Sequence, residues 1–91
     1  MTGGAMPEQK KEQVKITLKH PVQFDGREVK ELTMRRSKVK DQLAVEKEKI
    51  SEAEREVRLF ARLCNVPMEL IEEIDLADYK QIQKEYGDFL S

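Results

Sequence analysis

The chain holds one thiol, Cys64, and one imidazole, His20. A nucleophilic cysteine needs a histidine within hydrogen-bond reach and an electropositive setting that lowers the thiol pKa. The apolar run around Cys64 supplies neither, so it reads as a buried structural cysteine. His20 reads as a packed or surface side chain, because a metal site needs three or four N, S or O ligands and no companions are spaced for one. Glu69, Glu72, Glu73, Asp75 and Asp78 form an acidic cluster. Acid–base work requires a raised pKa and therefore burial, whereas a solvated helix face plus a cap accounts for these carboxylates. Gly26 stands alone in a turn, and no Gly-rich phosphate loop exists. No catalytic, cofactor-binding or metal-ligating residue is expected, and the chain reads as non-enzymatic.

The local basic cluster is MRRSKVK, Met34 to Lys40, preceded by Lys19, Arg27 and Lys30. It could contact phosphates. Against this, cations at a helix N-terminus oppose its dipole, no aromatic side chain interleaves for base stacking, and Glu28 and Glu31 dilute the field. With 17 basic and 18 acidic residues, the net charge of −1 gives no global attraction to nucleic acid or anionic membrane. A small DNA-binding or regulatory protein using Arg35–Lys40 stays as the alternative reading.

Elements that position side chains follow from periodicity and punctuation. Ninety-one residues bound one small domain, with 38% apolar and 38% charged residues. No signal peptide is legible, and no apolar run approaches the ~18 residues of a membrane span. A soluble protein of a reducing compartment is expected. Residues 1–12 lack periodicity and read as a disordered tail, followed by a single domain over 13–91.

From Val14 the pattern alternates: Val14, Ile16, Leu18, Val22 and Phe24 share one parity. Asp25-Gly26 signals a two-residue hairpin turn. With that turn Val22 faces Val29, but the same register puts Leu32 and Met34 on the wrong face. A β-bulge near His20-Pro21 or Lys30-Glu31 must absorb the phase change. The expected hairpin spans 14–34.

Helices are expected at about 37–49, 52–64, 67–74 and 76–86. Val39, Leu43, Ala44 and Ile50 mark the apolar stripe of the first. Ser51-Glu52-Ala53-Glu54 is a capping box opening the second, whose core face is Ala53, Val57, Phe60, Ala61 and Cys64, widened by Leu59 and Leu63. Asn65 reads as a left-handed terminator. Pro67 opens the third helix, and Asp75 caps the fourth, with Leu76, Tyr79, Ile82 and Tyr86 on one side and Gly87 closing it. The fold class is α+β, an N-terminal β-hairpin followed by a small bundle of three to four short helices. Its expected core is Leu18, Leu43, Val57, Phe60, Leu63, Leu70 and Ile74.

Three motifs follow one another in this order: Phe24-Asp25-Gly26, Glu31-Leu32-Thr33-Met34-Arg35, and Ile74-Asp75-Leu76-Ala77-Asp78-Tyr79. Arg55-Glu56, Leu59, Ala61-Arg62-Leu63, Pro67 and Ile71-Glu72 stand between them. In this order and spacing, over about residues 15 to 90, the chain resembles the phage tail assembly chaperones of the P2 and Mu type. One departure is Arg36-Ser37, where a proline is expected soon after the hairpin's terminal arginine.

The resemblance implies a non-enzymatic role without cofactors in the host bacterial cytoplasm, and absence from the mature virion. The implied partner is the phage tape measure protein, with the tail tube protein as a second candidate; no nucleic acid or membrane is implied. Tyr86, Phe89 and Leu90, the apolar residues expected to be most exposed near the end, are the candidate client-binding residues. The resemblance also implies a longer product of a programmed −1 ribosomal frameshift. Asp88-Phe89-Leu90 can be encoded GAT-TTT-TTG or GAT-TTT-TTA, and either carries a slippery heptamer. On this reading the chain is the unshifted product ending at Ser91.

Overall fold

Two antiparallel strands lead the fold, β1 over Gln13–Phe24 and β2 over Arg27–Arg35. The computed structural model describes residues 12–91. The expected tail over 1–12 therefore lies outside the described residues except for Glu12, whose carbonyl accepts the Arg36 N–H at 3.0 Å.

The turn between the strands has positive φ at Asp25 (52°) and Gly26 (78°). Both central positions of a type I′ turn require this. Val22 pairs with Val29 next to the turn, and Ile16 pairs with Leu32 further along. Between them, Leu18 to Pro21 stand against Lys30 alone, three residues more than a regular ladder allows. An odd insertion flips the facing parity. Ile16, Leu18 and Val22 all stay buried on β1, while the inward positions of β2 change from Val29 to Leu32 and Met34. Pro21 suits the kink because it has no N–H to place in a ladder.

Four helices follow: α1 over Val39–Glu46, α2 over Glu52–Cys64, α3 over Met68–Glu72 and α4 over Leu76–Phe89. Helix α2 begins in the Ser51–Glu54 capping box, where the Ser51 hydroxyl accepts the Glu54 N–H at 3.1 Å. It ends at Asn65, left-handed at φ 57°, with the Val66 N–H returning to the Ala61 carbonyl at 3.0 Å. Pro67 precedes the five residues of α3, which closes through the Glu73 and Ile74 N–H groups on Leu70 and Ile71. Asp75 then caps α4 by accepting the Ala77 N–H at 2.9 Å.

One face of the hairpin and the inward faces of the helices share a core. Phe60, Met34 and Ile82 are fully enclosed, with Leu18, Leu63, Leu70, Ile71 and Ile74 around them. Val57 packs at its margin. Phe60 is central, with its ring centroid 5.6 Å from that of Tyr79 and 5.3 Å from that of Tyr86.

Several inward assignments are corrected. Val39, Leu43, Ala53 and Leu76 face solvent. Ala53 and Leu76 lie in first turns, on the side turned to solvent. Helix α1 ends at Glu46 rather than near Lys49 and buries only Asp41 and Val45. Gly87 does not close α4, which continues through Phe89 because that ring is packed against the body.

Candidate functional site

The residues with reactive potential resolve into structural roles. Cys64 is buried, and burial pushes its thiol up to about 11, away from the thiolate needed for attack. His20 lies exposed in the kink of β1 and shares no hydrogen bond with Cys64. Among the described residues, no three His, Cys, Asp or Glu side chains cluster so as to hold a metal ion. Glu69, Glu72 and Glu73 are exposed.

Asp78 departs from the solvated-face expectation. It is buried, and its two oxygens accept the Lys19 and His20 N–H groups, each at 2.9 Å. These are the donors that the β1 irregularity removes from the ladder, so a carboxylate on α4 satisfies the kink in the hairpin. The neighbouring Tyr79 hydroxyl donates to Glu56 at 2.7 Å, and burial together with that carboxylate pushes its pKa up.

Asp41 was not singled out in the sequence, yet it is fully buried. Arg35 donates to it through both Nη atoms at 2.8 and 2.9 Å, Arg62 through Nε at 2.6 Å, and the Lys38 N–H at 2.8 Å. The forked Arg35 contact, with Arg62 and Lys38 assisting, outweighs burial and holds the Asp41 carboxyl far below the usual carboxylate range. Three elements meet there: the end of β2, the first turn of α1 and the last turn of α2. The available signal was the helix position of Asp41, three residues after Lys38, from which a carboxylate reaches back to the first N–H groups.

The basic segment is partly engaged by the same contacts. Arg35 is held by Asp41, and Arg36 donates to the Phe89 carbonyl at 3.0 Å while its guanidinium lies 5.2 Å from the Phe89 ring centroid. Of the four cations in Arg35–Lys40, Lys38 and Lys40 are left exposed.

The three candidate client-binding residues differ in setting. Tyr86 is half-buried against Phe60, and Phe89 is buried beneath Arg36, so neither has the exposure expected from sequence. Leu90 is 64% exposed. Elsewhere an open groove of ≈ 480 Å³ runs between β2 and the α2–α3 junction, with Phe24, Val29, Leu32, Val66, Pro67 and Leu70 among its walls. Apolar surface is therefore open at Leu90 and along this groove, besides the exposed Val39, Leu43 and Leu76.

A family model described as phage tail assembly chaperone proteins, E, or 41 or 14, matches residues 15–91. The chain belongs to this family. No curated protein and no solved structure matches it significantly. The stretches quoted for the resemblance hold the latches of this chaperone: Arg35 and Arg62 on Asp41, Glu56 under Tyr79, and Asp78 in the β1 kink.

Proposed function

We propose that this chaperone is of the P2 and Mu type and holds its phage's tape measure protein soluble and extended in the host cytoplasm. Tail tube subunits would polymerise around the held protein, with the chaperone absent from the finished virion. The observation that carries this reading is the family match over residues 15–91. A long helix-rich client with apolar stripes aggregates unless those stripes are covered. A chaperone that covers them must leave apolar surface open after its own core is closed. The groove beside β2 and the exposed side chains Val39, Leu43 and Leu90 are surface of that kind.

Co-expression with the phage's tape measure protein tests the proposal. The expected outcome is a higher soluble yield of the tape measure protein and a complex that co-purifies. A tape measure protein that is equally soluble alone, and never co-purifies, excludes this function.

A further inference from the structure

Helix α1 is inverted relative to an ordinary surface helix. Its buried residues are Asp41 and Val45, and an ion-pair network rather than an apolar stripe fixes it to the body. Its two other large apolar side chains, Val39 and Leu43, are 77% and 58% exposed. Four residues apart, they stand on one stripe, one above the other. A single exposed leucine needs no explanation. A helix that buries a carboxylate while turning an apolar pair to water has an orientation that its own burial does not favour.

Between Lys38 and Lys49 the exposed charges outside salt bridges are four lysines against one carboxylate, Glu48. Lys38 and Lys40 flank the first turn, and Lys47 and Lys49 follow the last. All four are exposed, and none lies in a salt bridge among the described residues. The one carboxylate in α1 besides Asp41, Glu46, is paired with Arg55 at 3.8 Å. Lysines at a helix N-terminus oppose its dipole, a local cost that an acidic partner would offset. Arg36 also ties the approach to α1 to Phe89, which brings the exposed Leu90 to this end of the molecule. Three of the four large exposed apolar residues, Val39, Leu43 and Leu90, therefore belong to it.

We propose that the Val39–Leu43 ridge of α1, with Leu90 near its start, is a docking surface for an acidic amphipathic helix. The apolar pair seats in the apolar stripe of the incoming helix, as ridges of one helix seat in grooves of another. The four lysines meet carboxylates on its flanks. A membrane is a poorer occupant, because two apolar side chains on an eight-residue helix bury too little area to anchor in lipid. The inference deepens the proposed function, on which it rests for the identity of the client. The surface itself rests on α1.

The test uses the full chain and two fluorescein-labelled synthetic helical peptides. Both carry leucines at three- and four-residue spacing, flanked in one by glutamates and in the other by lysines. The glutamate peptide should bind with an affinity that falls as salt rises. Val39→Ser and Leu43→Ser should each weaken it by about tenfold or more while leaving the thermal melt unchanged, because both side chains are exposed. Lys40→Glu combined with Lys47→Glu should move the preference toward the lysine peptide. Failure of both peptides to bind, or equal binding by wild type and Leu43→Ser, overturns the surface. So does adsorption to phosphatidylglycerol vesicles without peptide binding. Co-purification separates the two ideas. A Leu43→Ser chain that retains the tape measure protein as well as wild type removes the ridge and keeps the function. A ridge that binds the peptide in a chain that never captures the tape measure protein keeps the surface and removes that client.

Discussion

Asp78 reaches from the first turn of α4 into the kink of β1 and accepts the His20 N–H at 2.9 Å. Its other oxygen takes the Lys19 N–H at the same distance. Four β1 residues face one residue of β2 at that point, so these donors have left the ladder. The two halves of the fold depend on each other here. The bulge supplies the donors, and the helix supplies a carboxylate that would otherwise be buried without partners.

Asp78→Ala should therefore destabilise the chain by about 2 kcal/mol, the loss of two charge-assisted hydrogen bonds tempered by water reaching the exposed kink. Asp78→Asn, which keeps one acceptor oxygen, should cost less. Urea melts followed by circular dichroism give the stabilities, and faster amide exchange at Lys19 and His20 would locate the loss. An Asp78→Ala chain as stable as wild type would show that the latch contributes nothing.

Asp41 predicts acid sensitivity of a definite sign. Its folded-state pKa is depressed, chiefly by the Arg35 hydrogen bonds. Its stabilisation is therefore complete above the unfolded carboxylate pKa of about 3.9 and is lost as pH falls below it. Arg35 and Arg62 are 40% and 42% exposed and can rehydrate, so Asp41→Asn should cost about 2–3 kcal/mol at neutral pH. The gap between wild type and variant should narrow from about pH 4 downward. A gap that stays constant to pH 2 would assign the loss to packing rather than charge.

Elements with local punctuation were legible in the sequence. Asp25-Gly26 dictates its turn by positive φ, Ser51 and Glu54 cap each other, and Asn65 ends α2 in the left-handed region. Parity demanded a break in the hairpin register near His20-Pro21 or Lys30-Glu31, and the ladder places it between Thr17 and Val22. What periodicity did not reveal was α1. Its sequence places Val39 and Leu43 on an apolar stripe, but Asp41 wins the inward position because two arginines from other elements, Arg35 at the end of β2 and Arg62 on α2, converge on it. Asp78 escaped for the same reason, since its partners lie on β1. Polar pairing between elements has no sequence period. Position near the chain end likewise misjudged Phe89, which the Arg36 contact draws inward.

Phe60 is completely enclosed and touches both tyrosine rings of α4. Phe60→Ala should cost about 3–5 kcal/mol, combining lost transfer energy with a cavity. Urea melts measure it, and a loss under about 1 kcal/mol would contradict the central position of the ring.

Cys64 should resist thiol reagents in the folded chain. Its folded-state pKa is raised to about 11 by burial. The contribution to stability is thus present below the unfolded thiol pKa of about 8.5 and is lost as pH rises from there toward 11. Reaction with a disulfide reagent at pH 8 should be slow natively and rapid in denaturant. Equal rates in the two conditions would mean that the α2–α3 junction opens freely.

Phe89 and Leu90 are neighbours with opposite expected roles, which separates client binding from folding. Phe89 is buried under the Arg36 guanidinium, and its carbonyl accepts that side chain's N–H. Phe89→Ala should loosen the end of α4 and cost about 2–3 kcal/mol, below the full core value because the ring lies at a helix end. Arg36→Ala should share part of that loss, and the double variant should lose less than the two singles together, because both remove one contact. Leu90 is exposed, so Leu90→Ser should leave stability within about 0.5 kcal/mol of wild type. If Leu90 belongs to the client surface, the same substitution should lower the amount of tape measure protein that co-purifies. The two readouts are urea melts and co-purification from matched expressions. Undiminished co-purification by Leu90→Ser would remove this residue from the surface, whereas Phe89→Ala would then be read through stability alone.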